Sequence, residues 1–134
     1  MIPTLLVALG GALGSVGRYW AALLVSQVLG ERFPFGTIGI NVLGSFVIGF
    51  YGTLTAPGSG GVAASGEARM FVMIGICGGF TTFSSFSLQT LTLARNGAWF
   101  AVGANVLLSV ALCLVAVTLG HLLAERFGMG TRTF

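Results

Sequence analysis

Four long apolar runs, almost free of charged residues, limit the folds that are open to this chain. They extend from Thr4 to Leu29, Gly36 to Leu54, Met70 to Leu93 and Ala98 to Leu123. A helix that crosses a bilayer needs about 20 apolar residues. Because only 7% of the residues are charged, little polar surface remains for a water-soluble globule. We therefore predict an all-α membrane protein with four transmembrane helices, forming a single domain over residues 1–134.

Charged and reactive residues are few, and they exclude several classes of function. The net charge is only +3, and no basic cluster interleaves with aromatic residues, so nucleic-acid binding is not expected. Glu31, Glu67 and Glu125 all lie at the ends of the runs or in loops, so proton-coupled cation transport lacks a membrane-embedded carboxylate. Cys77 and Cys113 have no metal-site spacing, and we interpret them as small buried apolar residues. No P-loop, metal cluster or nucleophile motif indicates an enzyme.

The third run contains the segment that is least compatible with an ordinary lipid-facing helix. Gly78 and Gly79 are adjacent, and Thr81 and Thr82 follow them closely. Glycine weakens a helix, and threonine hydroxyls compete for its backbone hydrogen bonds. Irregular backbone at membrane depth is stable only where protein buries it or water lines it. We therefore predict a break in the third helix and a functional region around it.

A helix break near the membrane midplane would leave backbone carbonyl oxygens without helical donors. Together with the same oxygens from a symmetry-related copy, they could hold a hard cation such as Na⁺, which prefers oxygen ligands. A close helix contact without any ion explains the same glycines, so both interpretations stay open at this point.

Beyond the predicted break, aromatic rings and hydroxyls alternate along the chain. Phe83 and Phe86 are three residues apart, and Ser84 and Ser87 repeat that spacing one position later. The edge of a phenyl ring is electropositive, so it attracts an anion, and hydroxyls donate hydrogen bonds to one. The alternative is that the rings only pack in the core or face lipid.

The other three runs each carry small or polar residues at spacings of four, which places each trio on one helix face. The trios are Gly10, Gly14 and Arg18; Asn41, Ser45 and Gly49; and Asn105, Ser109 and Cys113. Close helix packing explains the small residues. It does not explain Arg18, Asn41 and Asn105, because polar side chains that face lipid are unfavourable. These residues favour a path for a small anion.

The arginines outside the first run are distributed almost evenly between the two sides of the membrane. One side carries Arg69, Arg126 and Arg132, and the other carries Arg32 and Arg95. The positive-inside rule therefore leaves the orientation poorly specified. Insertion in both orientations predicts two inverted copies that pair about a two-fold axis in the membrane plane.

Several motifs together resemble one known family over nearly the whole chain. They are Gly10 to Gly14 followed by Arg18 and Tyr19, Pro34 to Thr37, Asn41 to Phe46, Gly78 to Ser87, and Asn105 with Ser109. The chain resembles the Fluc (CrcB) fluoride channels. The resemblance implies a passive, fluoride-selective channel that exports fluoride across the bacterial inner membrane, with two pores in an antiparallel, dual-topology homodimer.

The resemblance also implies a set of site residues. Backbone oxygens of Gly78 and Thr81, from both copies, would hold a structural Na⁺ at the dimer centre. The implied fluoride pore residues are Asn41, Thr82, Phe83, Ser84, Phe86, Ser87, Gln89, Ser109 and, near a pore entrance, Arg18.

One position departs from the family pattern. The family commonly has Glu three residues after the second pore phenylalanine, where this chain has Gln89. The amide still donates hydrogen bonds, but it has no negative charge and does not titrate. Two other classes are weighed against a channel: a small multidrug-type exporter, which needs a Glu in the first span, and a membrane subunit that transports nothing.

Overall fold

The computed structural model describes residues 1–130, with side chains described through residue 128, and these residues are helical apart from short connections. The elements are α1 (Ile2–Leu29), α2 (Phe35–Leu54), α3 (Gly66–Arg69), a π-helical segment (Met70–Cys77), α4 (Gly78–Phe80), α5 (Phe83–Arg95) and α6 (Trp99–Gly130). No strand occurs within residues 1–130. Arg132, which the charge count above includes, lies outside the described residues.

Four helical stretches within residues 1–130 are long and apolar enough to cross a membrane. They are Ile2–Leu29, Phe35–Leu54, Gly66–Arg95 and Trp99–Gly128. The prediction of an all-helical chain with four apolar helices of spanning length is confirmed.

The third stretch begins earlier than the sequence predicts, at Gly66 instead of Met70. Ser65 precedes this stretch, and its hydroxyl accepts the backbone N–H of Ala68 at 3.1 Å. Glu67 lies in the first turn, where the helix dipole favours a negative charge. These capping interactions stabilise the first turn, so the helix begins before the apolar run. The polar residues of that turn can be solvated at the membrane interface.

The last helix continues to Gly130 instead of ending at Leu123. One turn of it carries His121, whose Nε2 lies 3.5 Å from Oε1 of Glu125, and both side chains are about half exposed. The Nδ1 atom of the same imidazole lies 2.8 Å from the Thr53 hydroxyl of α2. Exposed polar contacts of this kind fit water or headgroups, so this end of α6 extends beyond the apolar part of the span.

Glycines allow α1 and the third stretch to meet backbone to backbone. A Cβ atom on Gly10 would lie 2.6 Å from the carbonyl oxygen of Phe71, and one on Gly14 would lie 2.8 Å from the amide nitrogen of Phe80. Real Cβ atoms essentially never approach another atom closer than 3.0 Å. The packing interpretation is therefore correct for these two glycines of the first trio.

The α2 and α6 helices pack in the same way. A Cβ atom on Gly120 would lie 2.9 Å from the amide nitrogen of Phe50, and Gly49 lies against the carbonyl group of Val117. Close helix packing accounts for the glycines of the trios. It does not account for their polar members.

Most large apolar side chains point away from the protein. Leu13 on α1 and Phe100 on α6 are examples, and the buried hydrophobic residues among those described are only Ile38, Ile40, Cys77, Ala116 and Ala124. In water such a surface would be very unfavourable, whereas lipid tails cover it at no cost. The distribution is that of a protein whose outer surface faces hydrocarbon.

Candidate functional site

Two residues in extended conformation separate α4 from α5. Thr81 has φ −78° and ψ 157°, and Thr82 has φ −154° and ψ 112°. The Thr81 N–H and hydroxyl both still donate to the Cys77 carbonyl, each at 2.9 Å, so α4 ends with its last turn satisfied. The Thr82 hydroxyl accepts the N–H of Ser85 at 3.1 Å and so caps α5. The helical hydrogen-bond ladder is interrupted in the middle of the third stretch.

The side chain of Asn41 replaces the backbone hydrogen bonds that Thr82 lacks. Its Oδ1 accepts the Thr82 N–H at 2.7 Å, and its Nδ2 donates to the Thr82 carbonyl at 3.0 Å. Thr82 is buried, so without this pairing its backbone groups would be left unsatisfied in an apolar environment. Asn41 therefore holds Thr82 extended, and it keeps a second Nδ2 hydrogen that this pairing does not use.

Carbonyl oxygens at this point have the chemistry of a hard-cation site. In a continuous helix the Thr82 N–H would donate to Gly78, but here it donates to Asn41. The Thr81 carbonyl accepts a long hydrogen bond of 3.4 Å from Nη1 of Arg18. Uncharged carbonyl oxygens are ligands that Na⁺ accepts, so Gly78 and Thr81 fit the expected ion chemically. Arg18 competes for the Thr81 oxygen.

A cavity of about 360 Å³ lies beside the extended residues, between α2, the third stretch and α6. Seven of the predicted site residues line it: Asn41, Gly78, Thr81, Thr82, Phe83, Phe86 and Ser109. Among the described residues, no charged side chain lines this cavity. Apolar groups with a few hydroxyl and amide groups make up its wall.

Two phenyl rings form one side of the cavity. The ring centroids of Phe83 and Phe86 are 5.2 Å apart, and the ring planes are inclined by 49°. Phe83 is 77% exposed although it lines the cavity, so much of its ring is uncovered within a single chain. Both rings can present an edge to a small anion. The uncovered part of the Phe83 ring is available for contact with a second protein surface.

Hydrogen bonds connect α6 to α5 behind the cavity. Asn105, only 1% exposed, donates through Nδ2 to the Thr90 hydroxyl at 2.8 Å. Thr90 in turn donates to the Phe86 carbonyl at 2.7 Å, and the Ser109 hydroxyl donates to Oδ1 of Asn105 at 3.3 Å. The buried amide therefore fixes the position of a cavity hydroxyl relative to the backbone of a cavity phenylalanine.

The remaining predicted residues lie outside the cavity wall. Ser84 is exposed, with its hydroxyl 3.1 Å from the Thr82 hydroxyl. Ser87 is also exposed, and it donates to the Phe83 carbonyl within its own helix at 2.9 Å. Arg18 contacts the extended residues from α1, as described above.

Comparison with known proteins assigns the chain to a family. A family model described as "CrcB-like protein, Camphor Resistance (CrcB)" matches residues 5–121. The chain belongs to the CrcB family. It is 60% identical over 120 residues to a protein of Opitutus terrae named fluoride-specific ion channel FluC, covering 90% of each chain. Proteins with the same name from Rhodospirillum rubrum and Paramagnetospirillum magneticum are 56% identical over 117 residues and 54% identical over 124 residues. These matches cover 87% and 92% of this chain, and 90% and 96% of the relatives.

Gln89 has an unusual environment. Its Oε1 atom is buried and has no hydrogen-bond partner among the described residues. An ionised carboxylate there would be less favourable still, because burial penalises charge more than it penalises a neutral amide. The neutral side chain therefore suits this environment better than a charged one.

Sequence analysis did not identify Thr90, and it did not predict that Asn41 would hold Thr82. Thr90 could have been suspected, because a helical threonine commonly donates to the carbonyl four residues earlier, which here is that of Phe86. The pairing of Asn41 with Thr82 joins residues 41 positions apart. No local pattern in the sequence specifies such a contact.

Proposed function

We propose that this CrcB-family protein is a passive, fluoride-selective ion channel. The observation that carries the proposal is the cavity beside Thr81 and Thr82, whose wall combines phenyl rings, hydroxyls and an amide with no charged side chain among the described residues. Relatives that are 54–60% identical are named fluoride-specific ion channels, which supports the same conclusion.

Fluoride is small and strongly hydrated, so its pore must replace the water shell without holding the ion too tightly. Ring edges of Phe83 and Phe86 would supply weak positive potential, and Asn41 and Ser109 would supply hydrogen-bond donors. Neutral donors bind an anion less strongly than an arginine would, so the ion can leave. The hydroxyls of Thr82, Ser84 and Ser87 would continue the donor lining along α5.

Transport in this proposal needs no energy source apart from the ion gradient and the membrane potential. Moving one elementary charge through 100 mV corresponds to about 2.3 kcal/mol, and an interior-negative potential drives anions outward. Export of cytoplasmic fluoride across the bacterial inner membrane follows from this direction. The organisms of the relatives are bacteria, which agrees with that location.

The channel is proposed to be an antiparallel, dual-topology homodimer with two pores. The cavity and the exposed Phe83 ring are open in a single chain, and a second copy would enclose them. The even distribution of arginines allows both insertion orientations. In this arrangement the extended residues form the functional break of the third span. Gly78 and Thr81 of both copies would hold Na⁺, whose charge would satisfy their carbonyl oxygens.

Purified protein in fluoride-loaded liposomes tests the proposal, with efflux followed by a fluoride electrode. Wild-type protein should release fluoride and retain chloride under matched gradients. Phe83→Ile and Phe86→Ile should each slow efflux about tenfold, because loss of one ring-edge contact of roughly 1.4 kcal/mol gives that factor. Phe127→Ile is the matched control, since that ring contacts Phe50 and does not line the cavity.

Sealed vesicles with folded wild-type protein would refute the channel and favour a membrane subunit that transports nothing. Fluoride release that requires a proton gradient would favour the exporter class instead. Unchanged efflux in both phenylalanine variants would remove the rings from the path while leaving the channel itself intact.

A further inference from the structure

Three sulfur-containing side chains line the same cavity as the proposed fluoride path. Met73 and Cys77 lie four residues apart on the π-helical segment, and Cys113 lies on α6, one turn after Ser109. Cys77 is only 4% exposed, and Cys113 is partly exposed. Neither thiol makes a hydrogen bond to any of the residues that the structure describes. Two cysteines with unpartnered thiols and one methionine therefore line the same cavity, two of them from the π-helical segment and one from α6.

Sulfur ligands select soft metal ions. Thiolate and thioether groups favour Cu⁺ and ions of similar softness, whereas Na⁺, Mg²⁺ and Ca²⁺ prefer oxygen. Within residues 1–130, no three side chains of the His, Cys, Asp and Glu types come together, so a four-coordinate zinc site of these groups is not formed. A univalent d¹⁰ ion needs fewer ligands, and two thiolates with a nearby thioether suffice for it.

We propose that this cavity contains a binding site for a soft univalent cation, Cu⁺ or its analogue Ag⁺. Cys77 and Cys113 are its thiolate ligands, and Met73 contributes a thioether. The sequence interpretation of both cysteines as small buried apolar residues describes Cys77 correctly, whereas Cys113 is partly exposed. It does not account for three sulfur-containing residues that line one cavity.

The binding step is a proton exchange without any redox change. As each metal–sulfur bond forms, the S–H bond of that cysteine breaks and the proton passes to water, so two protons are released for each metal ion bound. Met73 can take part because its unbranched side chain has three rotatable bonds. Its thioether now lies beside α2, where a Cβ atom on Gly52 would be 3.8 Å from the sulfur.

Occupation of this site would block the proposed anion path. A univalent cation bound by two thiolates carries a net charge of −1, and it would lie in a cavity whose described lining is otherwise uncharged. A charge of the same sign repels fluoride strongly in a medium of low dielectric constant. This blocking effect depends on the proposed function, whereas the metal site itself does not.

Silver binding to the purified protein tests the site without reference to transport. The protein is equilibrated with silver nitrate in chloride-free buffer, washed by gel filtration and analysed for metal by mass spectrometry. Wild-type protein should retain one silver ion per chain. The paired variant Cys77→Ser/Cys113→Ser should retain none, and Met73→Leu should weaken binding about tenfold. Magnesium nitrate serves as the hard-ion control and should not be retained.

Fluoride efflux from liposomes tests the block. Silver should stop efflux through wild-type protein, and excess dithiothreitol should restore it. The paired serine variant, compared with its own silver-free rate, should be insensitive to the same silver concentration.

The outcomes separate the two proposals. Equal silver retention by wild-type protein and the paired serine variant, with both eluting as folded species, would overturn the site. Stoichiometric silver on a wild-type channel whose efflux is unaffected would overturn the block. If wild-type vesicles stay sealed without silver, the proposed function fails, but retention by the purified protein still decides whether the site exists.

Discussion

Replacing Asn41 with Asp changes one terminal group of the side chain that holds Thr82 extended. The remaining oxygen can still accept the Thr82 N–H, which Asn41 accepts at 2.7 Å. The second contact is lost, because the amide donor that lies 3.0 Å from the Thr82 carbonyl becomes an oxygen atom. We expect the variant to fold but to be less stable than wild type. The buried acceptor left without its donor costs about 1–3 kcal/mol, and partial burial of the new carboxylate charge adds a further penalty.

The effect of this variant on transport should be much larger than its effect on stability. Asn41 lines the cavity, so a carboxylate there adds a negative charge beside the proposed fluoride path. Two unit charges about 4 Å apart repel by about 4 kcal/mol at an effective dielectric constant near 20, which reduces fluoride occupancy about a thousandfold. Fluoride efflux should fall below the detection limit of an electrode.

Asn41→Ala separates the two roles of the side chain. It adds no charge but leaves both the N–H and the carbonyl of buried Thr82 without partners, at a cost of about 2–6 kcal/mol. This variant should therefore unfold at a clearly lower temperature than wild-type protein. Ser45→Ala, on the same α2 face and also lining the cavity, is the matched control and should leave stability nearly unchanged.

The assays are thermal unfolding of purified protein followed by circular dichroism, and fluoride efflux from liposomes. Efflux at the wild-type rate through folded Asn41→Asp would refute the argument, because a fixed charge in the path cannot leave an anion current unaffected. Equal unfolding temperatures for Asn41→Ala and wild-type protein would refute the assignment of Asn41 as the group that holds Thr82.

Three further predictions concern residues around the site. Thr90→Val should lower stability by about 1–3 kcal/mol, because it removes the hydroxyl that accepts from buried Asn105; thermal unfolding identical to that of wild type would contradict this. Gly14→Ala should destabilise the protein by about 1–3 kcal/mol through backbone overpacking against Phe80, whereas Gly11→Ala, whose Cβ would meet nothing within 4 Å, should not. Gln89→Glu should make efflux depend on pH relative to wild type, because it introduces a titratable group; parallel pH profiles would exclude this.

Hydrophobicity was sufficient to predict the four helices, because a bilayer fixes the length and composition of a spanning segment. The bounds were less accurate, since α6 continues to Gly130 through residues that an interface can solvate. The π-helical segment before Gly78 was not predicted either. The segment packs against α1, and local composition does not distinguish its hydrogen-bond pattern from that of an ordinary α-helix.

Within the candidate site, the sequence indicated the residue types but not all of their partners. The spacing of Phe83 and Phe86 predicted a shared face, and both rings line one cavity. The roles of Asn41 and Asn105 as hydrogen-bond partners of other elements could not be predicted, because those partners come from residues distant in sequence. A polar residue on an apolar helix indicates that a partner exists, but not which one it is.

The geometry of Asn41 links the stability of the extended residues to the chemistry of the cavity. One amide both satisfies the Thr82 backbone and lines the proposed path, so a substitution there affects both properties. Phe83 has no such double role, because its ring is 77% exposed and a change to Ile removes little buried area within the chain. Stability and transport should therefore change together at Asn41 and separately at Phe83. Unfolding and efflux measured on variants at both positions test this argument. It would be refuted if every Phe83 variant that loses transport also loses stability.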